Sequence, residues 1–289
     1  MEKKTADISI LAANYNNGRY LNDFITSILD SEVLPARIII VDDGSSDNSQ
    51  EILHTWESHS RTHFLFLPDN EGFGHALNHG LDLVDTKYIM RADPDDIFLP
   101  QRIGKQVNFL ESHPELSGVG CNVEYFHSES GKTLIESNFP LAPDAVCLAY
   151  ERGEHGMQHP SVTLRASAMA GFRYKQENVP AEDYDLFARM VAAGHRFGNL
   201  PEVLYRMRIH TASASSNIRF STIRKTYALR EEIFGQKTSI LRQRMYFYHI
   251  FCYRRGLLDS NPIRKTLWFG ISVFFYPGKL LRRILASQS

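Results

Sequence analysis

The chain has 289 residues, enough for one large domain or for one domain with an appendage. Its apolar fraction of 43% and charged fraction of 22% are ordinary for a globular protein and exclude a fibrous or disordered chain. The net charge of −1 hides an asymmetry, because residues 219–289 carry 14 Lys/Arg against 3 Asp/Glu while residues 1–218 carry 18 against 30. An acidic body with a basic tail suggests two surfaces with different roles.

The three cysteines, Cys121, Cys147 and Cys252, are widely spaced. They form neither a metal-ligand pattern nor a disulfide framework, so we expect a reducing compartment and a cytoplasmic protein. No apolar stretch of signal-peptide type precedes the first strand. The longest apolar run, at 267–276, is too short to span a bilayer.

The first part of the chain alternates short apolar runs with helical patterns. Strands are predicted at 8–13, 37–41, 64–67 and 87–91, and helices at 20–29, 47–57 with Asp47 as N-cap, 70–85 and 99–113. Continuous apolar runs between helices favour a parallel sheet covered on both faces. Ligands bind at the carboxyl ends of such strands, where Tyr15, Asp43, Asn70 and the acidic cluster at 93–96 all lie.

The second part has a less regular pattern. It predicts strands at 119–126, 133–137, 161–164, 197–200 and 203–207, and helices at 143–150 and at 182–194 with Gly194 as C-cap. From Arg219 the pattern changes to basic helices. We therefore place a domain boundary at 218, followed by a basic amphipathic helical tail at 219–289.

Three carboxylates, Asp93, Asp95 and Asp96, follow the fourth predicted strand. Like charges this close repel each other, and desolvation would raise their pKa values. A divalent cation resolves the conflict, because hard cations prefer carboxylate oxygens. The alternative is a solvated acidic turn with Asp96 near a helix start.

Several nucleotide and metal sites are excluded by missing motifs. The Asp42-Asp43 pair is not preceded by a Gly-rich phosphate loop with Lys-Ser/Thr. The 93–96 cluster lacks the glycine and distal glutamate of an EF-hand loop. A Gly-x-Gly-x-x-Gly fingerprint is absent after the first strand, which argues against a nicotinamide enzyme.

Six motifs then occur in order along the chain. They are Tyr15-Asn16, Val41-Asp42-Asp43-Gly44-Ser45, Asn70-x-Gly72 with Asn78-x-Gly80, Arg91-x-Asp93-x-Asp95-Asp96, Glu182-Asp183-Tyr184-Asp185 and Tyr205-Arg206-x-Arg208-x-His210. On these motifs the chain resembles an inverting family-2 glycosyltransferase of the bacterial surface-polysaccharide type. The resemblance implies an α/β GT-A fold, with a Rossmann-like, mostly parallel sheet, helices on both faces and a C-terminal helical appendage. It also implies a donor half at about 1–115 and an acceptor half at about 116–218.

The resemblance implies roles for the donor side. Tyr15 would flank the nucleotide base, Asp43 would accept a hydrogen bond from the base, and Asp42 would be structural. Asp93 would contact the ribose or the metal, and Asp95 would hold Mn2+ or Mg2+. Arg91 and Asp96 would steady the 93–96 loop or the sugar. His210 would be a metal ligand or diphosphate contact, or else a loop histidine. Two departures leave the donor in doubt: Ala12-Ala13 replaces a usual Pro-Thr pair, and Leu77 replaces a common arginine.

Asp183 is the candidate catalytic base, because an attacking hydroxyl must lose its proton as the new bond forms. Alone, Glu182 and Asp183 would only complement a helix dipole. His159 is assigned either to the sugar or acceptor side or to a structural role.

The expected function is metal-dependent transfer of a sugar, from a UDP-sugar, to a glycan or polyprenyl-linked acceptor. The alternatives are a nucleotidyltransferase that makes the nucleotide sugar and a non-catalytic binding module. The apolar-aromatic, basic tail suits either a membrane interface, at the inner face of the cytoplasmic membrane, or a lid packed on the body or on a second subunit. Nucleic acid is not an expected partner.

Overall fold

The computed structural model describes residues 3–210, 219–259 and 261–278. The strands are β1 Thr5–Asn14, β2 Leu34–Asp42, β3 Thr62–Phe66, β4 Tyr88–Arg91, β5 Ile97–Phe98, β6 Gly118–His127, β7 Thr133–Glu136, β8 Thr163–Arg165 and β9 Phe197–Ile209. The helices of the body are α1 Gly18–Leu29, α2 Ser49–Trp56, α3 Phe73–Asp82, α4 Arg102–Ser112, α5 Pro143–Glu151, α6 Ala166–Met169 and α7 Glu182–Ala192. The tail contains α8 Phe220–Phe234, α9 Ile240–Leu258 and α10 Pro262–Phe275.

The strands form one sheet in the order β3-β2-β1-β4-β8-β6-β9-β5, with β7 paired to β6. The first four strands in this order are parallel, as the sequence predicts. β8 is antiparallel to both of its neighbours, and β6 and β9 are again parallel. The pairing of Asn14 with Asp42 and of Leu11 with Arg91 brings the carboxyl ends of β1, β2 and β4 to one edge.

Helices cover both faces of the parallel part, which confirms the predicted α/β class. Successive strand residues point to opposite faces. Ile10 and Ile40 therefore pack on the α1 side, whereas Leu11 and Val41 pack against α3. The apolar side of α1, residues Tyr20, Leu21, Phe24, Ile25 and Ile28, is buried. A strand of this kind is apolar along its whole length because both of its faces are dry.

Three predicted elements are corrected by the structure. The N-cap of α2 is Asn48, while the Asp47 carboxylate accepts hydrogen bonds from the amides of Gly18 and Ser49, each at 2.9 Å. The strands expected at 197–200 and 203–207 are one strand, β9, with register shifts opposite β6. The strand expected at 161–164 begins at Thr163, because His159–Ser161 form a 3-10 turn.

The tail packs on the body through α8 and folds on itself through α9 and α10. Arg230 of α8 is buried and donates to the Glu151 carbonyl at 2.5 Å and to the Thr238 hydroxyl at 2.7 Å. α9 and α10 pair side by side, with His249 Nδ1 2.9 Å from the Ser272 carbonyl. Within the described ranges, no helix combines the length and the apolar character needed to cross a membrane.

A buried cation ties the sheet to the loops beyond it. Arg102 is fully buried, and its guanidinium lies 4.4 Å from the Phe98 ring centroid and 4.3 Å from that of Tyr205. It donates to the carbonyls of Arg91 at 2.9 Å and Pro160 at 2.8 Å. Arg102 therefore fixes the ends of two segments that lead into the candidate site.

Replacing this cation should destabilise the fold. Arg102→Met leaves two buried carbonyls without their donor, and we expect a loss of roughly 3 kcal/mol in the free energy of unfolding, measured by urea titration. The matched control is Arg37→Met, which breaks an exposed ion pair with Asp85 and should cost about 0.5 kcal/mol. Equal losses in the two variants would contradict the assignment.

Candidate active site

The end of β2 is fastened to the end of β1 by Asp42. This buried carboxylate accepts hydrogen bonds from Asn14 Nδ2 at 2.7 Å, from the Ser45 amide at 3.0 Å and hydroxyl at 2.7 Å, and from Gln50 Nε2 at 3.0 Å. Four donors fill its acceptor sites within the protein. This agrees with the structural role expected for Asp42.

Asp43 shapes the loop that follows β3. Its two oxygens accept hydrogen bonds from the amides of Glu71 at 2.7 Å and Gly72 at 2.9 Å, and the side chain is buried. Gly72 has a φ of +99°, and a Cβ there would lie 2.1 Å from Gln176 Nε2. Each carboxylate oxygen has a second lone pair, so Asp43 retains capacity for one more donor. Tyr15, just beyond β1, is 48% exposed and presents its ring to solvent.

The acidic loop, residues 93–96, is held by β9. β5 pairs with β9 through Ile97 and Arg206, which carries the end of β9 past the loop. The Arg208 amide donates to Asp96 Oδ1 at 2.8 Å, and Arg208 Nε donates to the Asp95 carbonyl at 2.7 Å. His210 Nε2 lies 3.0 Å from Asp95 Oδ2. The structure thus brings together Asp95 and His210, which the sequence analysis proposed as metal ligands.

Arg91 supplies positive charge from inside the sheet edge. It is buried, and its Nη2 lies 2.5 Å from Asp93 Oδ1. Its guanidinium also lies 5.1 Å from the Phe73 ring centroid. A buried ion pair of this geometry orders the start of the acidic loop.

The carboxylates of the acidic loop repel each other, as the sequence predicts. Burial raises the pKa of Asp96 well above its ordinary value, and the charges of Asp95 and Asp93 raise it further. Burial also raises the pKa of Asp93, and Arg91 only partly opposes this rise. A bound cation would relieve this repulsion.

Asp95 and His210 together fit a metal ion whose remaining ligands come from a diphosphate. The described residues contain no group of three or more His, Cys, Asp or Glu side chains that could hold a metal by themselves. Mg2+ bound with substrate phosphates needs only one or two protein carboxylates, and Mn2+ prefers the same oxygen ligands. Asp95 and His210 are close enough to serve as such a partial ligand set.

Asp183 stands in the first turn of α7. Its Oδ1 accepts from the Tyr184 amide at 2.7 Å, and its Oδ2 lies 3.3 Å from His155 Nε2. Burial acts to raise the pKa of Asp183, but the charge and hydrogen bond of His155 outweigh it, and the pKa falls below its ordinary value. The same pairing overcomes burial at His155 and raises the pKa of that imidazole. The charge of Asp183 contributes to the raised pKa of Asp93, so the start of α7 lies within electrostatic reach of the acidic loop.

Two residues near Asp183, Glu182 and His159, have pKa values shifted in the direction that favours their neutral forms. Burial and the Asp183 charge raise the pKa of Glu182 to about 7. Burial and Arg91 lower the pKa of His159 to about 3, so this imidazole is neutral near pH 7. His159 Nε2 lies 2.8 Å from the Tyr174 hydroxyl. This contact agrees with the structural alternative for His159.

Leu77 occupies the position where an arginine that could contact the diphosphate is common. Leu77 is fully buried in the core between α3 and the sheet. Its neighbour Asn78 donates to the Tyr174 carbonyl at 2.8 Å and accepts from the Tyr174 amide at 2.9 Å. α3 therefore uses this motif to hold the loop before α7.

Two site residues were missed by sequence reasoning. His155 pairs with Asp183 across 28 positions of sequence, and the Tyr205 hydroxyl lies 3.0 Å from the Asp93 amide nitrogen. A single sequence does not show which distant residues will pair. It offered only two indirect signals: His155 lies four residues before His159, and Tyr205 opens the last motif.

Known proteins that resemble this chain are glycosyltransferases. The family described as "Glycosyl transferase family 2" matches residues 9–176. The amylovoran biosynthesis glycosyltransferase AmsE of Erwinia amylovora is 29% identical over 83% of this chain and 90% of its own length. A UDP-Gal:alpha-D-GlcNAc-diphosphoundecaprenol beta-1,3-galactosyltransferase of Escherichia coli is 26% identical over 76% and 82%, respectively.

Solved structures share the fold at low identity. Staphylococcus aureus TarS in complex with UDP-GlcNAc superposes with a TM-score of 0.64 at 15% identity, over 93% of this chain and 80% of that one. The mannosyltransferase PcManGT of Pyrobaculum calidifontis, in complex with GDP-Man and Mn2+, gives a TM-score of 0.60 at 15% identity, over 97% and 84%.

The histidine environments predict opposite titrations. In an NMR titration we expect His155 to lose its proton above pH 6.5 and His159 to stay neutral down to about pH 4. The raised pKa of His155 gives stability that is present below pH 6.5 and is lost as pH rises through the folded-state pKa. The thermal advantage of the native protein over His155→Gln should therefore shrink as pH rises.

Asp183→Asn is the control for this assignment, because it removes the opposing charge and should bring the His155 titration down. Two histidines that both titrate near pH 6.5 would contradict the described packing.

Proposed function

The chain belongs to glycosyltransferase family 2 and is a glycosyltransferase, and from this premise we propose that it is a metal-dependent, inverting enzyme that uses a UDP-sugar. The observation that carries the proposal is that Asp183, at the start of α7, lies close enough to the acidic loop for its charge to act on Asp93, which puts a candidate base near a candidate diphosphate site. A sugar placed between them would have its leaving group on one side and its attacking group on the other.

For the donor, we propose the roles that follow from the strand ends. Tyr15 flanks the base and Asp43 accepts a hydrogen bond from it, while Asp93 contacts the ribose or the metal and Arg91 steadies the loop or the sugar. Uracil suits Asp43 because its N3–H is a donor. TarS, which shares the fold, binds UDP-GlcNAc, and the Escherichia coli relative is named for a UDP-Gal donor. PcManGT instead binds GDP-Man, so the test of the donor compares both nucleotides.

For the metal, we propose that Asp95 and His210 hold Mn2+ or Mg2+ against the diphosphate. When bound, the ion stabilises the negative charge that develops on the departing nucleoside diphosphate. Arg91 adds a fixed positive charge beside Asp93 and orients the loop. Buried positive charge of this kind acts without reorganisation during the reaction.

The proposed reaction is a single displacement. The acceptor oxygen bonds to the anomeric carbon as the bond from that carbon to the diphosphate oxygen breaks, and the hydroxyl proton passes to an Asp183 oxygen. Attack from the side opposite the leaving group inverts the anomeric centre. The pairing with His155 lowers the pKa of Asp183 and keeps this carboxylate in the ionised form that a base requires.

For the acceptor and the cellular location, we propose a class of acceptor and a compartment. We propose a glycan or polyprenyl-linked saccharide acceptor in surface-polysaccharide synthesis, because relatives are named for amylovoran synthesis and for an undecaprenol-linked substrate. Residues 1–218 would form the catalytic domain, with its acceptor half at about 116–218. The described cysteines are free, which suits the reducing cytoplasm.

The two alternatives lose support from these observations. A nucleotidyltransferase would need a Gly-rich phosphate loop bearing Arg or Lys after β1, and Asn14–Gly18 is not such a loop. A non-catalytic module would not require the Asp183–His155 pair near the acidic loop.

Asp183→Asn should lower kcat for sugar transfer by about 10²–10⁴-fold, because the amide cannot take the hydroxyl proton. KM for the donor should change little, since the donor contacts are elsewhere. Release of UDP from a panel of UDP-sugars, and of GDP from GDP-sugars, is the measurement.

Glu182→Gln is the matched control, because it changes the neighbouring carboxylate and should keep most of the turnover. Wild-type kcat in Asp183→Asn would overturn the base assignment.

A further inference from the structure

The outer surface of α10 exposes large apolar side chains. Ile263 is 79% exposed, Leu267 61% and Phe274 77%. Their spacings of four and seven residues place all three on one side of the helix. The opposite side is already used, because Ser272 is buried against His249 of α9 and Phe269 contacts Gly256. The exposed stripe is therefore additional to the packing of the helix pair.

α9 carries a second stripe of the same kind. Leu241, Met245 and Tyr248 recur at spacings of four and three residues and are 66%, 36% and 47% exposed. Tyr248 stacks on Phe275 of α10 at 5.3 Å between ring centroids, so one end of this stripe contacts α10. A cavity of about 380 Å³, lined in part by Leu241, Met245 and Phe275, opens beside them.

Basic residues accompany these stripes. Residues 239–278 contain six Lys/Arg and one Asp/Glu. Arg242 and Arg244 lie on α9 next to Leu241, and Arg264 and Lys265 follow Ile263 on α10. Apolar side chains flanked by Lys and Arg match the two layers of an anionic membrane surface, its acyl boundary and its phosphates.

We infer that α9 and α10 form a membrane-docking face that takes an anionic lipid bilayer and presents the enzyme to a lipid-linked acceptor. Charge favours the bilayer over a symmetric dimer through this surface, because that dimer would bring one basic face against another. An apolar side chain buried in the acyl boundary adds roughly 25 cal/mol for each Å² removed from water. Three exposed side chains on α10 alone give the face substantial area.

The same helices reach the acceptor side of the active site. The Tyr276 hydroxyl, just after α10, donates to Glu154 Oε1 at 2.8 Å. Glu154 adjoins His155, the partner of Asp183, and Arg254 of α9 acts electrostatically on His155. The helix pair therefore adjoins the segment that carries His155, the partner of Asp183. The acceptor part of the inference rests on the proposed function, whereas bilayer binding does not.

The test is flotation of the full chain with vesicles of phosphatidylglycerol and phosphatidylcholine in equal amounts, and with vesicles of phosphatidylcholine alone. We expect binding to the anionic vesicles that weakens as salt rises. Leu267→Gln combined with Phe274→Gln should weaken it about tenfold or more, because both side chains are exposed and lose their lipid contact. Arg264→Gln with Lys265→Gln should weaken it by removing attraction to the phosphates, about 1 kcal/mol for each charge, or roughly thirtyfold together.

The matched control is Leu83→Gln with Leu148→Gln, which removes two leucines exposed elsewhere, at 41% and 39%. It should bind like the wild type. Hydrolysis of the UDP-sugar in the absence of vesicles should be equal in all variants, so a failure of the proposed function would appear there and not in flotation. Lack of binding to anionic vesicles, equal loss in the control, or a dimer in sedimentation that Leu267→Gln with Phe274→Gln disrupts would overturn the inference.

Discussion

The site depends on one electrostatic conflict, the crowding of three aspartates at the end of β4. The protein holds them together by meeting each with a donor, one from the strand that precedes them and two from the end of β9. Arg91 pairs with Asp93 from within the sheet, the Arg208 amide binds Asp96, and His210 approaches Asp95 from the end of β9. The raised pKa of Asp96, caused by burial and by its neighbours, shows that these contacts leave repulsion unrelieved. A site with unrelieved negative charge and two oriented ligands is prepared for a cation.

The acidic loop is also fixed by a residue in the protein interior. Arg102 binds the Arg91 carbonyl and the Pro160 carbonyl from a fully buried position. It therefore links β4, which precedes the acidic loop, to the 3-10 turn that contains His159 and Pro160. Precise positioning of reacting groups accounts for much of the catalytic power of enzymes, and buried hydrogen bonds of this kind provide it.

The parallel half of the fold was predictable because its signal is local. Strands buried on both faces leave continuous apolar runs, and polar side chains directly after them mark the ligand edge. The rest was not predictable from one chain. β8 runs antiparallel, and neither its three residues nor the two of β5 carry enough periodicity to fix a direction. Asp47 failed as an N-cap because its carboxylate serves the amide of Gly18, a tertiary contact.

The residues of the candidate site divide in the same way. The resemblance supplied Asp95, His210 and Asp183 as motif positions, whereas the partner of Asp183 did not follow from any motif. His155 meets Asp183 because α7 and the segment after α5 pack together, and this pairing sets the charge state of both groups. Side chains that act through long-range contacts require the folded chain.

The most direct test of the account is a calorimetric titration of the protein with UDP and with GDP, each with and without Mn2+, repeated on Asp95→Ala and on Asp144→Ala. The side chain of Asp144 is 89% exposed on α5, and its replacement by alanine makes the same change of charge outside the acidic loop. We predict UDP binding that requires Mn2+, that Asp95→Ala abolishes and that Asp144→Ala retains. Binding of neither nucleotide under any condition, or UDP binding that ignores both Mn2+ and Asp95, would contradict the account.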